Sequence, residues 1–341
     1  MAYHPNISEN DLIDNSTEGR SLGRSSSYDD VLFIMYGVIV PLVVVFGYVG
    51  NIMTAVVLRK QTMSPIAYLF LQALVLSDIF FITCAFMALS MPVLLGVWVD
   101  LDFGLNVFNT LGYTTINYLL MTSQLCNEYI LVLVSIDRYV CVCHPMTHAQ
   151  LFTKFRVLVS IVGVLCFSTI YNIPRIVAVK IKESPCLDSR RTCYSVYLSE
   201  IGESFLYQKM YAVWIYAVIN FVIPILVLFL LNILVVRKLM RKQFKRRRLG
   251  LRKNSAKDRV TITLVLIMTI FALIQTLGFI NQIHYVYMFD DSHDHTRTYL
   301  VDVVNVLYVV NSSINFIIYI AVGKTFRANF SQLIPFRCIG N

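Results

Sequence analysis

Charged residues interrupt this 341-residue chain rarely and unevenly. Marking every Asp, Glu, Lys and Arg leaves uncharged runs at 31–58, 79–99, 157–174, 210–236, 260–289 and 303–323. The second reaches back to Ile66 if one acid, Asp78, is allowed inside it, and a further run from Phe103 to Ile136 is broken only by Glu128. At a rise of about 1.5 Å per residue, roughly 20 residues cross the hydrocarbon core of a bilayer. The pattern therefore predicts seven spans. Stretches such as Leu226 to Val236 are apolar at every position but Asn232, whereas a barrel strand alternates over about 10 residues, so the spans are helices.

After the last run, Lys324 to Ile334 sets Phe326, Phe330, Leu333 and Ile334 at helical spacing, with Arg327 on another face. That pattern suits a short helix lying along the membrane surface. The expected fold is an all-α membrane protein: a seven-transmembrane helix bundle with a short amphipathic helix after the last span. Its parts are a polar, Ser/Asn/Asp-rich segment at 1–30, the helical domain at 31–323, and a surface helix with a short tail at 324–341. There is no internal repeat, and no pair of interrupted spans of the kind transporters use to build a midplane site.

Composition agrees. With 57% hydrophobic and 14% charged residues and a mean hydropathy of +0.66, the chain has too little charge to cover a water-soluble domain, where about a quarter of residues are charged. The net charge of +9 could suggest nucleic acid, but the basic residues hug helix ends: Arg59, Lys60, Arg138, Lys154, Arg156, Lys324, Arg327, Arg337, and twelve more between Arg237 and Arg259. Topology and anionic lipid explain them, and nucleic acid is rejected. The positive-inside rule makes that side cytosolic, so a multi-pass plasma-membrane protein with its amino terminus outside is expected.

Asn6 and Asn15 head glycosylation sequons in the amino-terminal segment. That segment lacks a signal-peptide pattern, so the first span is expected to direct insertion. Only Cys186 and Cys193 fall in an outward loop; a disulfide between them is expected, with two free thiols or pairing to another chain as the alternatives.

The third run ends in Ser135-Ile-Asp-Arg-Tyr-Val-Cys-Val-Cys-His-Pro-Met146. Taken alone, Asp137 and Arg138 read as a charged pair at a helix end. In a seven-span chain Asp137, Arg138 and Tyr139 resemble the Asp-Arg-Tyr signature of rhodopsin-like receptors, with Pro145 and Met146 following at that family's spacing. Gly50-Asn51, Leu74-Val-Leu-Ser-Asp78, Phe221-Val-Ile-Pro224 and Phe271 sit where the family keeps its landmarks. Asn311-Ser-Ser-Ile-Asn-Phe-Ile-Ile-Tyr319 matches the seventh-span motif, with Phe316 where most members have proline. That form, Gln275 where most members have tryptophan, and Tyr171-Asn-Ile-Pro-Arg175 together resemble the invertebrate FMRFamide and related neuropeptide receptors. Three departures stand out: Tyr113 replaces the usual outer cysteine of the third span, the fourth span has no tryptophan, and Leu277 replaces the sixth-span proline. Leu277 and Phe316 imply straighter helices, or kinks made by Gly278 and bound water.

The resemblance implies roles. Asp78, Asn127, Asn311 and Asn315 would form a pocket for sodium and water, with Na+ at Asp78; polar glue between helices is the alternative reading. Arg138 would pair with Asp137 at rest and then meet a G protein, Met146 adding an apolar contact and Tyr319 closing the rearranged network. Pro224, Phe271 and Gln275 would transmit the change. A ligand would enter between the outer halves of spans three, five, six and seven, against Asn117, Gln124, Gln275, Phe279, Gln282, Asn305 and Tyr308. An acidic rim including Glu200, Glu203, Asp291 and Asp302 would attract a cationic ligand, or be only a solvated surface. Glu128 has no family precedent and reads either as a protonated, hydrogen-bonded group or as a switch.

The expected function is a receptor for an extracellular, amidated, FMRFamide-like peptide that activates a heterotrimeric G protein. Arrestin and membrane lipid are further expected partners. A chemosensory receptor for a small external molecule is the alternative, and a transporter or channel a remote one. An opsin is excluded because Lys324 comes after the seventh span, and an amine receptor is disfavoured because residues 103–127 hold no aspartate. No nucleophile triad, metal cluster or phosphate loop occurs, so no enzyme and no cofactor beyond the sodium ion is expected.

Overall fold

The computed structural model describes residues 30–60, 64–98, 112–185, 192–249, 256–287 and 295–333. Six continuous helices in it are long and apolar enough to cross a membrane: Asp30–Lys60, Pro65–Leu95, Thr114–Cys143, Lys154–Val177, Leu206–Arg246 and Thr261–Ile283. A bent pair, Tyr299–Ser313 with Asn315–Val322, makes the seventh span. Between the fourth and fifth spans the chain forms an antiparallel hairpin of β1 (Val179–Pro185) and β2 (Thr192–Leu198), with Val179 opposite Leu198 and Pro185 opposite Thr192. The all-helical expectation thus describes the spans but not this connection.

Local chemistry sets several helix ends. Ser64 caps the second span, its Oγ accepting from the Ala67 amide at 3.3 Å, and Pro65 follows at a position where its missing N–H costs nothing. Thr153 caps the fourth in the same way, accepting from Arg156 at 3.3 Å. The third span stops at His144, and Pro145 starts the short helix Pro145–Leu151. The amphipathic helix expected at the end is present over Lys324–Leu333. It buries Phe326 against Tyr319, ring centroids 5.4 Å apart, and leaves Arg327 exposed.

Of the two alternatives expected, straighter helices or kinks made by Gly278 and bound water, the seventh span is not straight: it bends by 48° between Ser313 and Asn315 although it contains no proline. The cause is polar. Asn51 of the first span donates its Nδ2 to the Ser312 carbonyl at 3.0 Å, drawing off an acceptor of the helical ladder. Ser313 Oγ back-bonds to the Val309 carbonyl at 2.8 Å, a contact that bends helices. Close approach of the first span makes this possible, since a Cβ on Gly47 would collide with the Ser313 side chain.

The third span is the axis. Some 72% of its membrane window is buried inside the protein, against 17% for the fourth. One apolar cluster, including Leu131, Met268, Phe271 and Tyr319, packs around its Arg138 half. A second, including Phe81, Leu120, Ile274 and Tyr308, packs around the other half. The polar residues described next lie between and at the ends of these clusters.

Candidate functional site

Arg138 and Asp137 are both buried at the end of the third span. Arg138 Nε donates to Asp137 Oδ2 at 2.8 Å, and its Nη2 reaches the same oxygen. The other oxygen, Oδ1, takes a contact of 2.8 Å from His148 Nε2; a carboxylate only accepts, so that nitrogen carries the proton. His148 sits on the helix begun by Pro145 and stacks on Phe152, centroids 5.0 Å apart. Sequence reasoning missed His148, whose one signal is its place in the helix that Pro145 opens. Tyr139 OH lies 3.4 Å from His144 Nε2. Met146 is 84% exposed, and Tyr319 is buried. The arrangement neutralises a buried guanidinium, and the helix that supplies His148 also carries the exposed Met146.

Nearer the middle of the bundle, Asp78 is 2% exposed. Its Oδ1 accepts from Asn127 Nδ2 at 2.8 Å, and its Oδ2 from Asn315 Nδ2 at 2.7 Å. Asn127 also donates to Ser312 Oγ at 3.0 Å. Asn311 is not a partner of Asp78; Ser312 enters the cluster instead. In this arrangement each carboxylate oxygen holds one amide donor from a neighbouring span and keeps a lone pair for a further partner.

A second acid lies one residue along the third span from Asn127. Glu128 is 1% exposed, and its Oε1 accepts from Gln124 Nε2 at 3.1 Å and from Gln275 Nε2 at 2.9 Å. Gln275 is fully buried, and its Nε2 also donates to the Asn220 carbonyl of the fifth span. That carbonyl is open for a simple reason. Its α-helical donor would be the N–H four residues on, which is Pro224 and has none, and the backbone there runs as a π-helix over Val218–Val222. A proline in the fifth span therefore creates the acceptor that a glutamine in the sixth span fills, while the same amide nitrogen holds Glu128 of the third. Phe271, one turn before Gln275, lines a small cavity with Phe81, Gln124, Asn127, Glu128, Tyr308, Asn311 and Ser312.

The residues assigned to a ligand separate into layers. Gln124 and Gln275 belong to the buried Glu128 network rather than to an open pocket. Asn117, Gln282 and Phe279 are half-buried, Phe279 with its ring 5.8 Å from that of Phe221. Tyr308 is buried, its hydroxyl close against the Gly278 backbone. Asp302 corrects the picture of an acidic rim. It lies inside the bundle at 6% exposure, accepting from Tyr36 OH at 2.7 Å, and Asn305 Nδ2 donates to the same hydroxyl at 3.1 Å. The first span reaches across to cover it, which the sequence of the seventh alone does not show. Glu203 is exposed, as is Glu200, whose side chain lies 4.0 Å from Lys180 Nζ. Asp291, Asn6, Asn15, Cys186 and the Cys193 side chain lie outside the described residues.

Comparison with known proteins gives a consistent result. Residues 50–319 match the family described as 7 transmembrane receptor (rhodopsin family). The chain is 28% identical over 299 residues to an FMRFamide receptor of Drosophila melanogaster, covering 87% of this chain and 53% of that protein. It is 25% identical to the FMRFamide peptide receptor frpr-18 of Caenorhabditis elegans, over 87% of this chain and 68% of that one. It is also 25% identical to the probable G-protein coupled receptor frpr-1 of the same organism, over 88% and 79%. The chain thus spans about half the length of the fly receptor it matches.

Proposed function

We propose that this chain, which belongs to the rhodopsin family of seven-transmembrane receptors, binds an extracellular amidated peptide and activates a heterotrimeric G protein. It is a multi-pass membrane protein and not an enzyme. In this reading the basic end of the bundle faces the cytosol, and the hairpin and Asp302 lie toward the outside. The observation that carries the coupling is the closed lock at the end of the third span: a buried arginine held by its neighbouring aspartate, itself held by His148. A charge kept buried by one removable partner is a two-state element, and Met146, exposed on the helix that carries His148, offers an apolar contact to whatever opens it. The peptide class rests on the names of the similar proteins and on the Gln275, Phe316 and Tyr171-to-Arg175 features.

The test is a screen in cells expressing the chain, with a G-protein readout, against amidated peptides ending in Arg-Phe and against small polar metabolites. Peptide responses lost in Arg138→Ala at normal surface expression support the reading. Responses to small molecules alone would replace it with a chemosensory receptor. For the ligand contact, Glu200, Glu203 and Asp291 are neutralised one at a time. A charge-assisted contact is worth roughly 1.5–3 kcal/mol, so one change should raise the half-maximal concentration about tenfold for the arginine peptide, and less for a citrulline analogue.

A further inference from the structure

We infer that Arg175, near the end of the fourth span, takes a carboxylate of the ligand. The inference rests on the reading that the ligand is an extracellular amidated peptide. An amidated end carries no carboxylate, so the acid is an Asp or Glu side chain elsewhere in the peptide, in addition to its arginine.

Arg138 and Arg175 both turn into the bundle and differ in what neutralises them. Arg138 has Asp137. Arg175 is half-buried, and its charge meets rings instead: the guanidinium carbon lies 5.0 Å from the centroid of the Tyr216 ring and 5.8 Å from that of Tyr211. Its Nε donates to Asn172 Oδ1 at 3.1 Å, and the Tyr211 hydroxyl is its other polar neighbour. Among the described residues no carboxylate pairs with it. Ring faces engage the charge of a guanidinium but not the N–H groups at its edge, and that planar fork matches a carboxylate.

An arginine at a helix end can instead snorkel to lipid headgroups. The face it occupies argues against that here. Asn172, one turn back, and Ser168, two turns back, are buried on the same side, whereas Ile173 and Ile176 turn outward. Tyr216, beneath the guanidinium, is itself buried, with its ring edge-on to Phe221 at 5.6 Å, and Phe221 lies 5.8 Å from Phe279. The charge therefore backs onto the aromatic wall assigned to the ligand. The fifth span presents Tyr211 in wide π-helical turns over Leu206–Ile215, a backbone form that recurs at functional sites. Tyr171 closes the wall, its carbonyl accepting from Tyr211 OH at 2.7 Å. The run from Tyr171 to Arg175, until now only a mark of resemblance, thereby acquires a chemical task.

The test uses cells expressing the full chain, a G-protein readout, and pairs of amidated Arg-Phe peptides that carry Asp or Asn at one position ahead of the arginine. At one such position wild type should prefer Asp about tenfold or more in half-maximal concentration, and Arg175→Gln should respond equally to both. If Arg175→Gln fails to reach the surface, Arg175→Lys decides, since it keeps the charge and loses the fork: a reduced preference supports the site, and an unchanged one overturns it. A preference that survives Arg175→Gln, or no preference in wild type at any position, overturns the site and leaves the peptide reading standing. A second arm needs no agonist. The chain in nanodiscs of neutral lipid is melted with Asp or Asn blocked at both ends, and Tm should rise with blocked Asp in wild type but not in Arg175→Gln. That result, with no response to any amidated peptide, keeps the carboxylate site and removes the peptide reading. Stabilisation through Arg175 by anionic lipid, with none by blocked Asp, overturns the site in favour of a headgroup.

Discussion

The third and fourth spans are neighbours of similar hydropathy, 1.5 against 1.9, yet they live in different solvents. The third buries Ser123, Gln124, Asn127, Glu128, Ser135, Asp137 and Arg138. The fourth buries only Val157, Ser168 and Asn172, and turns Phe155, Leu158, Val162, Leu165 and Ile170 outward. Hydropathy measures whether a helix belongs in a membrane; it does not say whether its neighbours there are lipid or protein. What separates the two spans is the presence of polar groups whose partners come from elsewhere in the bundle. The candidate functional residues concentrate on the helix that is more enclosed by protein.

The sharpest way to break the contrast is Asp137→Ala. It leaves a buried guanidinium without its carboxylate, a change that costs about 3–5 kcal/mol. Thermal unfolding in nanodiscs should fall accordingly, and ligand-independent G-protein signalling should rise as Arg138 is released. Next in size is Gln275→Leu. It bares the Asn220 carbonyl and halves the donors on Glu128, at about 1–3 kcal/mol for a buried group left unsatisfied. A melting curve indistinguishable from wild type would show that the amide is idle. Gly278→Ala should destabilise by a similar about 1–3 kcal/mol, because the added methyl meets the Tyr308 hydroxyl and the Phe221 ring. The smallest effect belongs to the lipid-facing span. Nothing lies within 4 Å of a Cβ placed on Gly163, so Gly163→Ala should hold or raise stability by about 0.5–1 kcal/mol. Loss of stability there would mean that the fourth span is packed against protein after all.

The same contrast explains what the sequence shows and what it hides. The seven spans are legible because exclusion of charge from hydrocarbon acts residue by residue, and Ser64-Pro65 and His144-Pro145 mark boundaries by local chemistry. The pairing of Asp78 with Asn127 and Asn315 needs three spans to be placed first, and was reachable only through family resemblance. Nothing local to Phe316 announces the bend of the seventh span, since it arises from Asn51 on the first. Asp302 reads as a surface acid until Tyr36 is seen to cover it. His148 carries no mark of its own. For Glu128 the sequence supplied a buried acid and no partner, and the partners proved to be Gln124 one turn away and a glutamine 147 residues away.

Because one nitrogen of Gln275 serves both the Asn220 carbonyl and the Glu128 carboxylate, the sixth span is fastened to two neighbours by a single clasp. A rotation that frees it from one frees it from both. Interhelical hydrogen bonds in membranes average only about 0.6 kcal/mol, so the clasp is weak enough for thermal motion to undo. Its importance is in the counting of states: the helix is fastened or released, with no stable half-open position supplied by this contact. Ligands of different strength would then differ in how often the clasp is open, not in how far.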